Sequence, residues 1–363
     1  FRSLEKHGIH SVFLNSSLEW KEYLKAADEI KKGFVKIIYV SPEGLATSRI
    51  RDLLFEGNLE ISCITIDEAH CVSEWGHDFR PDYLEIFSFR KMFPKATMVA
   101  LTATATEQVK KDIIKNLGLK KPEIFTTSFD RSNIFLEVQP KKSGESQVIE
   151  FLKNHKDESG IIYCTSRKQV DELFASLKKK GFSVLNYHAG LPDATRTEHQ
   201  QLFIEDKIKI IVATVAFGMG IDKPNVRFVI NFDLPKSIEE YGRTGRDGNL
   251  AWALLLYSYA DVHKIRYFFD DMADPAKAEE KLKSMVKFAS GGECRRKNLL
   301  NYFGETFAPG ENYNKDFCCD ICSKGALPLV DMTVPVQKFL CCILRTKSRF
   351  GATYIIEVLL GSH

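Results

Sequence analysis

The sequence lacks an excess of charge of either sign. Its 51 Lys and Arg face 48 Asp and Glu, leaving a net charge of +3 over 363 residues. A chain so balanced exerts no global pull on a polyanion, so any basic surface must be local. It also lacks an apolar run of the roughly eighteen residues that a membrane span needs, so no span is expected. The first ten residues, FRSLEKHGIH, hold no apolar signal core, and the chain opens on Phe1 rather than Met, which suggests a fragment. No repeat of solenoid length and no low-complexity tract occur. An even cysteine count is missing too. The nine cysteines are odd in number and four of them cluster between Cys294 and Cys322, which argues against a secreted disulfide framework and for one metal site in a reduced compartment.

What the chain does have is alternation. VKIIYV (35–40), ISCITI (61–66) and TMVAL (97–101) read as buried parallel strands, with helical patterns at 17–32 and 106–117. The pattern restarts with strand candidates at 134–138, 160–164, 182–187, 208–214, 226–231 and 253–257, and helices at 167–180 and 194–205. Strands alternating with helices predict two α/β domains with parallel sheets, meeting near 126–135. From about residue 262 charged helical sequence takes over, then the cysteine cluster. ALPLVDMTVPV (326–336), with two prolines, reads as a linker, and a new helical pattern follows it.

The strand ISCITI ends in Asp67 and Glu68. The carboxyl edge of a parallel sheet is where open α/β folds bind ligands. In a phosphoryl-transfer site an aspartate there holds Mg²⁺ and a neighbouring glutamate polarises water. Taken alone, the pair reads more readily as a solvated helix start. The tetrad DEAH and its continuation CVSEWGHDFRPDY shift the balance. Trp75 alone reads as a core residue, yet WGHDFRPDY sets its aromatics among polar residues with Gly and Pro, unlike a core segment. Cys319 and Cys322 have the C-x₂-C spacing of two ligands on one tetrahedral metal, with Cys294 upstream. Cys318 supplies a fourth thiolate by count, or else Cys318 or Cys319 is a buried apolar residue. Cys341 and Cys342 lie on an apolar helical face and read as core.

The ordered set of motifs resembles the RecQ family of DNA helicases over essentially the whole chain. It comprises DEAHCVSEWGHDFRPDY, ALTATAT (100–106), SFDRSNIF (128–135), GIIYCTSR (160–167), YHAGL (187–191), VATVAFGMGIDKPNVRFVIN (212–231), GRTGRDG (242–248), CRRKNLLNYFGE (294–305), FCCDIC (317–322) and RFGATYIIEVLLGS (349–362). The resemblance implies two RecA-like domains (1–133 and 134–262), a helical zinc-binding domain (263–326) and the start of a winged helix (327–363). It implies an ATP-dependent 3′–5′ DNA helicase using ATP, Mg²⁺ and structural Zn²⁺, acting on single strands and duplex junctions in recombination and repair, in a bacterial cytoplasm or a nucleus. Asp67, Glu68 and His70 then belong to the nucleotide site, with His70 bridging it to the second domain. Gly220, Asp222, Arg243 and Arg246 complete that site, the arginines reaching the transferring phosphate. Trp75 and Phe79 offer flat faces to unpaired bases and Arg80 meets a phosphate or a base. Thr102 and Thr104 couple nucleotide to DNA across the cleft. Cys294, Cys318, Cys319 and Cys322 hold zinc.

The sequence departs from the family's pattern in three places. No G-x-x-x-x-G-K-[ST] phosphate cradle occurs, and the family's lies before the point where this chain begins, so the first domain is expected to be incomplete and this chain alone inactive or an ATPase-deficient remnant. The segment before Gly242 is short by a few residues, with Glu239 and Glu240 near the place of an expected glutamine. Cys318 and Cys319 are adjacent where the family spaces its cysteines apart, a poor spacing for convergence on one metal.

Overall fold

The computed structural model describes residues 4, 7–15, 18–56, 59–76, 79–218, 223–238, 241, 245–267, 269, 274–310, 313–325 and 330–361. It forms two compact units, Phe1–Ser323 and Lys324–His363. In the larger unit the first α/β domain shows two parallel pairs among the described residues: β1 (Ser11–Leu14) with β2 (Ile37–Val40), and β3 (Cys63–Ile66) with β4 (Thr97–Ala100). β1 was not expected, because SVFL is only four residues long between polar flanks. The strands expected to be buried are largely half-exposed, and of β3 only Ile66 is buried. Each has a single described strand partner, so one edge of each is uncovered by a described strand, and the core beside them is built from Leu14, Ile30, Leu54, Val72 and Leu117.

The second domain realises the buried parallel sheet. Six strands, β5 (Ile134–Pro140), β6 (Ser159–Tyr163), β7 (Val184–Tyr187), β8 (Ile210–Ala213), β9 (Val226–Asn231) and β10 (Ala251–Tyr257), lie in the order β5-β10-β9-β6-β8-β7, all parallel. Both faces are covered, so β6 and β8 are buried at every residue, which is why SGIIY and IIVA read as continuous apolar runs. Gly160 is needed where the β6–β9 register shifts: a Cβ there would lie 2.1 Å from the Phe228 ring. The helices start where capping chemistry puts them. Thr106 accepts from Val109 N, and Ser166 accepts from Gln169 N.

Among the described residues the cysteine-bearing segment shares its core with the second domain. Leu282, Met285, Phe288 and Phe303 pack with Ile134, Leu136, Ala253 and Leu255 of β5 and β10 into one cluster that also takes in Cys318 and Cys319. Its main helices are Pro275–Ser290 and Arg295–Tyr302. The smaller unit pairs helix Thr333–Arg345 with helix Ala352–Leu359. The expected linker therefore ends early: Pro335 sits in the first turn of a helix, where its missing N–H is no loss. Cys342 is buried there, whereas Cys341 is exposed, contrary to its reading as core.

Candidate nucleotide cleft, aromatic loop and metal centre

Asp67 and Glu68 leave the carboxyl end of β3. Glu68 takes the left-handed conformation (φ 49°), which turns the chain sharply out of the strand. Its N–H donates to Asp67 Oδ1 at 2.9 Å, fixing that carboxylate at the sheet edge. His70 is fully buried, its Nδ1 3.0 Å from Thr102 Oγ1 and 3.3 Å from Glu68 Oε2. The neighbouring backbone is pinned as well, since Ala69 N donates to Leu101 O at 2.8 Å. His70 thus ties the acidic turn to the ALTATAT loop within the first domain. Thr102 also accepts from Thr104 N at 3.2 Å.

A cavity of about 460 Å³ opens beside these residues. Asp67, Glu68 and Thr104 line one wall, Asp130 and Arg131 of the connecting segment line another, and Gly218 and Arg246 come from the second domain. Gly245 is held by the connecting segment, accepting from Arg131 Nη2 at 2.6 Å and Asn133 Nδ2 at 2.8 Å, which places Arg246 at the cavity. Burial, then the nearby Arg246, pushes the Arg131 guanidinium pKa down. Gly220, Asp222 and Arg243 lie outside the described residues.

The aromatic loop begins from a rigid base. Ser73 donates to Asp112 Oδ2 at 2.5 Å and accepts from Trp75 N at 3.1 Å. Trp75 and Phe79 are half-buried. Arg80 pairs with Glu43, and its guanidinium carbon stands 5.6 Å from the Tyr83 ring centre. Burial pushes the Tyr83 pKa up to about 12, so its hydroxyl stays protonated, and it reaches the Asp67 carbonyl at 3.4 Å.

The four clustered cysteines converge. All their sulfurs lie within 4.8 Å of one another, with Cys294 Sγ 3.7 Å from Cys318 Sγ and 3.9 Å from Cys319 Sγ. A tetrahedral zinc with Zn–S bonds of about 2.3 Å has sulfur–sulfur edges of about 3.8 Å, so donor type and spacing fit that ion. Adjacent Cys318 and Cys319 both reach the cluster because the chain turns between them. Cys318 ends a 3₁₀ turn, and its carbonyl accepts from Leu136 N at 3.3 Å, while the helix Asp320–Lys324 follows Cys319 at once.

Residues not singled out in the sequence build the frame around the cluster. Arg295 grips Asp320 through two bonds of 3.0 and 3.1 Å, both side chains buried. Arg296, equally buried, donates to Asp130 Oδ1 at 2.6 Å and to the carbonyls of Arg131 and Ile134 at 2.8 and 2.6 Å. Glu305 accepts from Phe129 N at 2.7 Å, and Phe129 stacks on Phe303 at 4.4 Å. The connecting segment is thus clamped by the cysteine module. The adjacent arginines in CRRKNLL were the available signal; burial was not readable from them.

Four family descriptions match the chain in order: DEAD/DEAH box helicase over residues 1–112, helicase conserved C-terminal domain over 144–248, RecQ zinc-binding over 259–323 and RQC domain over 328–363. The ATP-dependent DNA helicase RecQ of Pasteurella multocida is 41% identical across 98% of this chain and 56% of its own length. That of Haemophilus influenzae is 41% identical across 99% of this chain and 58% of its own length.

The chain belongs to the RecQ helicase family.

It spans a little over half the length of those RecQ relatives. The RecQ-like DNA helicase BLM of Xenopus laevis is 45% identical over 80% of this chain and 23% of its own length. Among solved structures, the fold is similar to helicase Lhr of Mycobacterium smegmatis (TM-score 0.55, 18% identity, 76% of this chain and 39% of that one) and to the DEAD-box helicase Mss116 (TM-score 0.58, 20% identity, 74% and 57%). At those identities the likeness speaks for the two RecA-like domains alone. The RecQ zinc-binding match covers all four clustered cysteines. Among the described residues no helix is long and apolar enough to cross a membrane.

Proposed function

We propose that the chain is the helicase portion of an ATP-dependent DNA helicase that moves 3′ to 5′ along single strands and separates duplexes during recombination and repair. The observation that carries this reading is the cavity with Asp67 and Glu68 on one side and Arg246 on the other. Asp67 would hold Mg²⁺, which when bound neutralises charge on the nucleotide phosphates. Glu68, held by His70, orients and polarises the attacking water. Arg246 faces them from the second domain, where a planar guanidinium offsets charge on the transferring phosphoryl group, a role Arg243 shares. Such a site works only when the domains close, so hydrolysis and domain movement are one event. Trp75 and Phe79 stack on unpaired bases without reading sequence, and Arg80, Thr102 and Thr104 link that contact to the acidic turn. Cys294, Cys318, Cys319 and Cys322 would hold a structural Zn²⁺ with no open position for water. The setting is a compartment that contains DNA, bacterial cytoplasm or nucleus.

The test is strand separation by the intact protein with ATP, on DNA and RNA duplexes carrying a 3′ or a 5′ single-stranded tail. Unwinding of 3′-tailed DNA, ATP-dependent and weak on RNA, is expected. No unwinding, or a preference for RNA, overturns the reading.

A further inference from the structure

The first turns of helix Pro275–Ser290, in the zinc-binding module, project two lysines onto the aromatic loop some 200 residues away in sequence. Asp274 caps that helix through Lys277 N at 3.1 Å, which fixes its register. Lys277 and Lys281 stand one turn apart on one face. Lys277 Nζ lies 2.7 Å from Glu74 Oε2 and 3.0 Å from Asp274 Oδ2, and 4.9 Å from the centre of the Trp75 ring. Lys281 Nζ donates to Gly76 O at 2.5 Å. Three consecutive loop residues, Glu74, Trp75 and Gly76, are therefore each held by the same helix face.

The far side of that loop meets the acidic turn. A Cβ at Gly76 would lie 2.3 Å from His70 O and 3.0 Å from Ser73 O, so the loop backbone is pressed on the residue that ties Glu68 to Thr102. Both holding groups are ammonium ions, and an ammonium over a ring face occupies the surface a base would stack on. A base stacking on the ring face that Lys277 covers displaces that lysine, whose ammonium is then free to meet the strand's phosphates.

We propose that Lys277 and Lys281 are positioning residues that latch the Trp75 loop against the DEAH turn, and that an arriving single strand opens the latch by exchanging Trp75 for a base and taking the lysines onto its phosphates. The proposal rests on the reading of Trp75 as a DNA contact. It locates the sensor's resting state in the zinc-binding module, outside the two motor domains.

The latch is read without turnover, by acrylamide quenching of tryptophan emission in a Trp20→Phe background, where half-buried Trp252 remains as a constant. A ring–cation contact and an exposed ion pair together shift the loop's open population by about five- to tenfold. Lys277→Glu is expected to raise quenching of Trp75, and Lys277→Glu with Glu74→Lys to recover part of that rise, because the swap restores the ion pair but not the ammonium over the ring. The milder Lys277→Met with Lys281→Met, which keeps the side-chain stems, is expected to raise it as well. The exchange is read by the salt dependence of single-stranded oligonucleotide affinity, whose log–log slope should fall by about 0.7 for each lysine removed. Unchanged quenching in both variants, no rescue by the swap, or an unchanged slope overturns the proposal. ATPase assays of the intact parent protein with and without DNA run alongside: an intact parent that DNA does not stimulate refutes the helicase reading, while the quenching still decides the latch.

Discussion

Replacing Arg295 with methionine keeps most of the side-chain volume and removes the guanidinium. In the structure that group makes two bonds to Asp320, at 3.0 and 3.1 Å, and others to the carbonyls of Phe288, Ala289 and Gly291 at the end of helix Pro275–Ser290. The two side chains are only 6% and 8% exposed, so water cannot replace the lost partner. Stranding one member of a buried ion pair costs about 3–5 kcal/mol. The zinc-binding module shares its core with β5 and β10, so the loss is felt beyond the module. At about 2–4 °C per kcal/mol for a large domain, the midpoint of thermal unfolding should fall by about 6–20 °C. The same cost should appear in urea titrations at fixed excess zinc. Most of it comes from the unpaired carboxylate rather than from the pair, so Arg295→Met with Asp320→Leu should recover more than half of the loss. A single variant within 1 kcal/mol of the parent, or a double variant no better than the single, would refute the reasoning.

Four further outcomes are expected. Glu68→Gln in the intact protein should abolish ATP turnover while nucleotide binding, measured by titration calorimetry, stays largely intact; near-normal turnover would remove Glu68 from its role. Trp75→Ala should weaken single-strand affinity by no more than about 1–3 kcal/mol yet abolish most of the DNA stimulation of the ATPase; equal stimulation in variant and parent would count against a sensor. Cys322→Ser should lower zinc content from one ion per chain, by elemental analysis, and, because Cys318 and Cys319 lie in the shared core, should raise protease sensitivity in the second domain as well as in the module. Asp206, bonded first of all to the buried Lys223 ammonium, has its carboxyl pulled from 3.8 down to about 2. A depressed folded pKa contributes stability above the unfolded value and loses it as pH falls through the folded one, so Asp206→Asn should destabilise at neutral pH and flatten the acid dependence between about pH 4 and 2 in urea titrations.

Much was legible in the sequence because each signal was local. Buried parallel strands are apolar nearly throughout, so β6, β8 and β9 announced themselves in GIIYC, IKIIVAT and VRFVIN, and helical patterns at 106–117 and 167–180 match the observed helices Glu107–Asn116 and Arg167–Lys179. The order of motifs, with DEAH at a strand end and FCCDIC near the end of the chain, was enough for the family. Tertiary structure decided what depends on distant partners. The burial of the first-domain strands turned on how many neighbours each has, which no single strand encodes. Cys318 and Cys319, expected to hold zinc despite a poor spacing, converge because β5 holds the turn between them. Arg295, Arg296, Lys277 and Lys281 lie in charged sequence that gave them no individual role, and only packing shows which of them are buried and which reach across to another domain. Periodicity and motif spacing act over a few residues and survive in the linear chain; desolvation and long-range ion pairing exist only once segments far apart in sequence are packed together.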